Sequence, residues 1–161
     1  MAIQIISLVI VGFITIYFLR KEKEKNDIYF GKQRKYNKKE LAILNHYKSI
    51  YKPIPIDNRF PNIKRDGFEL EDVALTATEI VYDAPIPTNE QIGGINIGDW
   101  VKLLFTDNDG CVERMWVEVL ERNDTIFKGL LRNDAIEHEE LNEGKTIYFH
   151  SNNIYDIDGG L

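Results

Sequence analysis

Few residues in this chain have the types and spacing that chemistry needs. Asp107-Asn108-Asp109-Gly110 offers carboxylate and amide oxygens of the kind calcium takes. An EF-hand loop also needs a ligand five residues before its glycine and a bidentate Glu six after it. Those positions hold Phe105 and Trp116, so the stretch reads as a hairpin turn. His138-Glu139-Glu140-Leu141-Asn142 comes close to the helical zinc pattern H-E-x-x-H, but Asn142 stands where the second histidine belongs. Cys111 is flanked by acids that raise a thiol pKa, which makes it a poor nucleophile. His150 and Ser151 are neighbours, but a triad needs a third group and a geometry that adjacency does not supply. The Glu139-Glu140 pair reads as a solvated acidic face. Phosphate-binding Gly-Lys-Ser/Thr loops, dinucleotide glycine patterns and a G-x-S-x-G elbow are missing from the sequence. The expectation is a protein without catalytic residues, cofactor or metal.

The elements that would position any site fall in the second half. Asp99 to Phe105 is rich in β-forming residues and runs into the Asp107–Gly110 turn. Val112 to Glu121 partly alternates, with Met115, Val117 and Val119 on one face and Arg114, Trp116 and Glu118 on the other. Asn123-Asp124 marks a further turn. Thr125–Leu131, Thr146–His150 and Ile154–Ile157 read as three more strands. Short strands joined by tight turns predict an antiparallel β meander or a small barrel. Upstream, Tyr36 to Tyr51 has Leu41, Leu44, Tyr47 and Tyr51 at helical spacing. Asn37 with Glu40 forms a capping-box pattern, and Pro53 and Pro55 end the helix. His46 on this helix has no second ligand or acid at helical spacing and reads as a surface residue. Pro53 to Arg65 reads as irregular, and Glu69 to Tyr82 fits either short strands or a helix.

At the amino terminus, Ala2 to Leu19 is uncharged and strongly apolar. As a helix it would span about 27 Å, close to the roughly 30 Å of a bilayer core. In lipid the backbone must satisfy its own hydrogen bonds, which a single segment does as a helix. No Lys or Arg precedes the run and no small-x-small site follows it, so it reads as a retained anchor rather than a cleaved signal peptide. Arg20, Lys21, Lys23, Lys25, Lys32, Arg34 and Lys35 follow the span, which predicts a cytoplasmic C-terminal domain. This basic block either fixes topology alone or also rests on anionic headgroups. Gln4, Ser7 and Thr15 share one arc of the helix, which suggests a weak homodimer through the anchor.

The expected organisation is an anchor over 1–19, a basic linker and amphipathic helix over 20–52, and an acidic domain over 53–161. The fold class is therefore a transmembrane helix plus an α+β domain. Charge separates the parts. Residues 20–52 carry eleven Lys/Arg against four Asp/Glu, a net of +7, and residues 53–161 carry nine against twenty-two, a net of −13. An acidic domain repels phosphates, so no nucleic-acid partner is expected. The single cysteine rules out an internal disulfide.

Trp100-Val101-Lys102 with Phe105, and Glu113-Arg114-Met115-Trp116-Val117-Glu118-Val119, form a recognisable pattern. It continues through Gly129-Leu130, Asn133, Leu141, Gly144, Ile147, Phe149, Ile154 and Asp156. Over about 98–157 the chain resembles the bacterial domain of unknown function 2314 family. The family's usual Trp after the final Asp is Ile157 here. The resemblance implies a compact β-rich module and brings no catalytic residues with it. The leading expectation is a membrane-tethered module that binds a protein partner, with Trp116, Arg114 and Glu118 as the binding residues. The alternatives at that position are that the strand faces the other way, or that the Tyr36–Tyr51 helix covers Trp116. A toxin-immunity-type binder is one version of the module, since similar small domains occur among such proteins. A hydrolase using Glu113, Glu118 or His150 in a cleft is the competing expectation.

Overall fold

A computed structural model describes residues 35–136 and 141–159. The first element is helix α1, Lys38–Ile50. Asn37 begins it as the composition predicts: its side chain accepts from the Lys39 and Glu40 amides, and Glu40 accepts in return from the Asn37 amide. Two single-turn helices follow, α2 at Ile63–Asp66 and α3 at Val73–Thr76, with strand β1, Phe68–Leu70, between them. The stretch from Glu69 to Tyr82 thus holds both the end of a strand and a helix. The irregular Pro53–Arg65 segment contains the start of α2, which Asn62 caps and Gly67 ends at a φ of +76°. Helix α4, Asn89–Gly93, carries a second capping box, made by Thr88 and Gln91.

The rest is sheet. Strands β2 (Trp100–Asp107), β3 (Val112–Asn123), β4 (Ile126–Leu131) and β5 (Thr146–His150) form an antiparallel meander. Asp107 closes the first hairpin by accepting from the Asp109 and Cys111 amides, and Gly110 takes a φ of +80°. After β5, a 3-10 turn over Ser151–Asn153 leads into β6, Ile154–Ile157. Strand β6 pairs with β2, at the far side of the meander from β5. One 3-10 turn bridges that distance only because the sheet rolls round on itself. The expected meander, near-barrel and amphipathic helix are all present. The predicted membrane span, Ala2 to Leu19, lies outside the described residues. Among the described residues no helix is long and apolar enough to cross a membrane.

Rolling creates an inside. Val101, Leu103, Phe105, Met115, Val117, Val119, Phe127, Leu131, Phe149 and Ile154 fill it together with the buried Leu141. The Phe127 and Phe149 rings stack at 5.3 Å and 8°. Strand β2 also buries one residue of its outer face. Leu104 points away from the barrel into a second cluster of Val73, Ala77, Ile86 and Tyr155. Tyr155 reaches it through a bulge: Lys102 pairs with Asp156 and Leu103 with Ile154, leaving Tyr155 unpaired and free to face outward. Helix α1 joins this outer layer through Tyr47, and the Tyr51 hydroxyl donates to Asp72 at 2.9 Å.

Gly129 sits on the inner face of β4, between Val117 and Phe149. A Cβ there would lie 2.3 Å from Val117 Cγ1 and 2.7 Å from the Glu118 carbonyl oxygen. Gly129→Ala is expected to destabilise the domain by about 3 kcal/mol through overpacking. Its thermal midpoint should fall by roughly 10 °C or more. Adding Val117→Ala should recover part of the loss; no recovery would put the cause at the Glu118 backbone instead.

Candidate functional site

The alternation of β3 sets its two faces as expected: Met115, Val117 and Val119 are buried, and Arg114, Trp116 and Glu118 face outward. The three outward residues engage different neighbours. The Arg114 guanidinium lies 4.8 Å from the centre of the Tyr155 ring. Glu118 pairs with Arg132, whose Nε donates to it at 2.6 Å and whose Nη2 completes a two-pronged contact. Trp116 is half-buried rather than fully exposed, because Lys102 on β2 lies directly opposite and its ammonium sits 4.1 Å above the indole. The same Lys102 nitrogen donates to Asp156 on β6 at 3.1 Å. Asp156, Lys102 and Trp116 therefore form one row across three strands.

A second tryptophan belongs to this face. Trp100 pairs with Glu118, which makes it a diagonal neighbour of Trp116, and 39% of it is exposed. From the sequence, Trp100 is a strand residue and part of the family-like pattern, not one of the expected binding residues. Its place beside Trp116 follows from the β2–β3 register, which the sequence leaves open. The outer face of β2 and β3 thus presents two indoles bordered by the Lys102–Asp156 and Glu118–Arg132 ion pairs.

The edge of β3 beyond the end of β4 is covered without a strand. Trp116 donates its backbone N–H to Asn133 Oδ1 at 2.9 Å and accepts from the Arg132 amide at 2.9 Å. The Glu113 carboxylate accepts from the Ile136 amide at 2.9 Å. Asn133 and Arg132 thus satisfy backbone groups of Trp116 that would otherwise make an open sheet edge, and Glu113 ties the loop at Ile136 beside them. Glu113 has a structural partner, so of the residues in the hydrolase expectation it is occupied at this edge.

His150 is likewise committed to structure. It is 6% exposed and heads the 3-10 turn. Its Nδ1 accepts from the Asn152 amide at 3.1 Å, while its own amide donates to Asn153 Oδ1 at 2.8 Å. The carboxylates whose charge reaches the ring belong to Asp72 and Asp124, and neither Glu113 nor Glu118 is among them. An apolar cleft of about 310 Å³ opens between α1 and residues 77–86, with Tyr47, Tyr82 and Pro85 in its wall and no histidine. Among the described residues no group of three His, Cys, Asp or Glu side chains could hold a metal ion. The Asp107–Gly110 turn is an ordinary hairpin, and the His138–Glu140 part of the near-zinc motif lies outside the described residues.

Burial pushes the His150 imidazole below its ordinary value of 6.5. A base whose folded pKa is depressed binds fewer protons folded than unfolded, so stability rises with pH in that window. Its contribution is complete above the unfolded value and is lost as pH falls from there toward the folded value. The thermal midpoint is therefore expected to drop as pH falls below about 6.5. His150→Asn should flatten that slope; an unchanged slope would exclude His150 as its source.

No curated protein and no solved structure matches the chain. The pattern of Trp-Val-Lys, Met-Trp-Val-Glu-Val, Gly129, Asn133 and Gly144 can now be read as two paired strands, a close inward contact, an edge cap and a left-handed turn. These features lie within residues 89–157, and that stretch matches the model of a family described as an uncharacterised protein conserved in bacteria, DUF2314.

Proposed function

We propose that the chain is a membrane-tethered interaction module whose small β-rich domain binds a protein partner through the outer face of β2 and β3. The observation that carries this reading is the diagonal pair of Trp100 and Trp116, framed by two ion pairs. Aromatic residues ringed by charge are the composition of interface hot spots. The candidate hydrolase residues favour the same reading, since Glu113, Glu118 and His150 are each held by structural partners. An immunity-type role fits within it. A domain with a net charge of −13 would attract a basic toxin and speed its capture.

The tether is read from Ala2–Leu19 and its orientation from the basic residues that follow. The domain would then stand in the cytoplasm. Apolar length and flanking charge are the whole support for this placement.

Pull-down of the full chain from native membranes tests the binding face. Trp100→Ala is expected to weaken partner capture about thirtyfold or more, as the loss of a hot-spot aromatic does. Trp116→Ala should act in the same direction. Capture that survives both changes in a folded protein would overturn the assignment. Topology is tested separately by protease treatment of intact cells. The C-terminal domain should be protected until the cells are opened, and digestion from outside would place it on the other side of the membrane.

A further inference from the structure

The outer face of the sheet combines an indole with a carboxylate twice. In the first case the chain supplies the cation as well. Lys102 lies over the Trp116 indole at 4.1 Å and donates to Asp156 at 3.1 Å. Indole, ammonium and carboxylate thus come from β3, β2 and β6 in turn. The second case is one row away. Val101 pairs with Ile157 and Lys102 with Asp156. The same register carried one residue further sets Asp158 opposite Trp100, and the Asp158 amide donates to the Trp100 carbonyl at 2.9 Å. Side chains alternate along a strand, so Asp158 follows Asp156 to the outer face, where Trp100 also stands. On its other flank Trp100 pairs with Glu118.

This second row differs in one respect. Among the described residues no cation lies over the Trp100 ring, and the Asp158 carboxylate has no hydrogen bond or ion pair. The neighbouring charges are already matched, Lys102 by Asp156 and Arg132 by Glu118. Asp158 therefore leaves one unbalanced negative charge beside the two indoles. Packing leaves this end of β2 open: Leu104 is 3% exposed under the outer layer, whereas Trp100 is 39% exposed and Asp158 lies in solvent. The face of an indole is electron-rich and attracts a cation, as the carboxylate does. Here the two stand on adjacent strands. A guanidinium suits that arrangement, because its plane stacks on the ring while its edge donates to the carboxylate.

We infer that Trp100 and Asp158 form a seat for an arginine side chain of a basic protein partner. The seat rests on the binding face proposed above and specifies what the partner presents to it. The net charge of −13 over residues 53–161 draws such a partner in, and the seat sets where one of its arginines lands. That arginine repeats from outside the contact that Lys102 makes with Trp116 from within.

The test uses the full chain in neutral detergent micelles, with its two tryptophans isotope-labelled so that each indole N–H gives its own magnetic resonance signal. The probe is an acetylated Arg-Gly-Arg peptide, compared with the same peptide carrying citrulline for arginine. The arginine peptide should move the Trp100 signal saturably and the Trp116 signal much less, and the citrulline peptide should move neither. Asp158→Asn should weaken the titration about fivefold. Asp109→Asn, in the hairpin at the other end of β2, removes the same charge and should leave it unchanged. Equal movement of both indoles, equal effects of the two peptides, or equal weakening by the two substitutions overturns the seat. A Trp100 signal that moves with protein concentration before any peptide is added also overturns it, in favour of a second copy of the chain. Partner capture from native membranes separates the seat from the binding face. Capture lost with Trp100→Ala but unaffected by Asp158→Asn and by excess arginine peptide keeps the face and overturns the seat. A peptide that seats on Trp100 while capture survives Trp100→Ala supports the seat and overturns the face as the partner's site.

Discussion

Strand β2 is asked to be a centre in every direction. Val101, Leu103 and Phe105 fill the barrel, and Leu104 fills the cluster outside it. One edge pairs with β3 along its length, and the other is divided between β1 and β6. A strand buried along its inner face and at Leu104 on its outer one, and paired on both edges, leaves its neighbours little freedom. The meander has to curl so that β6 can reach it, and the Tyr155 bulge has to turn one side chain outward so that both layers fill. The Trp100–Lys102–Trp116 arrangement inherits its geometry from the same strand, because register alone decides which side chains stand opposite one another.

The second half of the chain was largely readable from its sequence. Alternation in Val112–Glu121 assigned the inner and outer faces correctly, because one face of β3 meets the barrel core and the other meets solvent. Strands β5 and β6 carry the predicted bounds, set off by Gly144 and by the polar Ser151–Asn153 turn. The Asn37–Glu40 box located α1 for a local reason, as capping involves residues only three apart. Leu104 could not be read in the same way. Its burial depends on Val73, Ala77 and Ile86, which come from a stretch with no clean period of its own. The two-tryptophan face is half legible: alternation turns Trp116 outward, but Trp100 needs the pairing partner that only the fold supplies.

Polar side chains do much of the joining between layers. Asn133 stands in for a missing strand at Trp116, and Asn153 links the corner after β5 to the Glu71 carbonyl at 2.9 Å. Arg122 donates to the carbonyls of Gly93 and Ile95, both at 2.9 Å, and so fastens the end of α4 to the β3–β4 hairpin. Arg59 covers the outer face of β5 through the Tyr148 ring, held in place by Asp57, whose carboxyl it lowers to about 2. Such contacts fix connections that apolar packing leaves undirected, since a buried polar group must find a partner with the right geometry.

The last strand also determines when the fold can be completed. Asn152 donates to the Lys52 carbonyl across 100 residues, and β6 must arrive beside β2 before the corner closes. Contacts so distant in sequence form slowly, because a large loop is closed before any stabilisation is gained. During synthesis α1 emerges long before Ile154–Ile157. For that interval the β2 edge at Val101–Leu103 is unpaired, and an open edge with apolar neighbours is a template for pairing with other chains. Any truncation that removes β6 makes this transient state permanent, so β6 is also the domain's protection against aggregation.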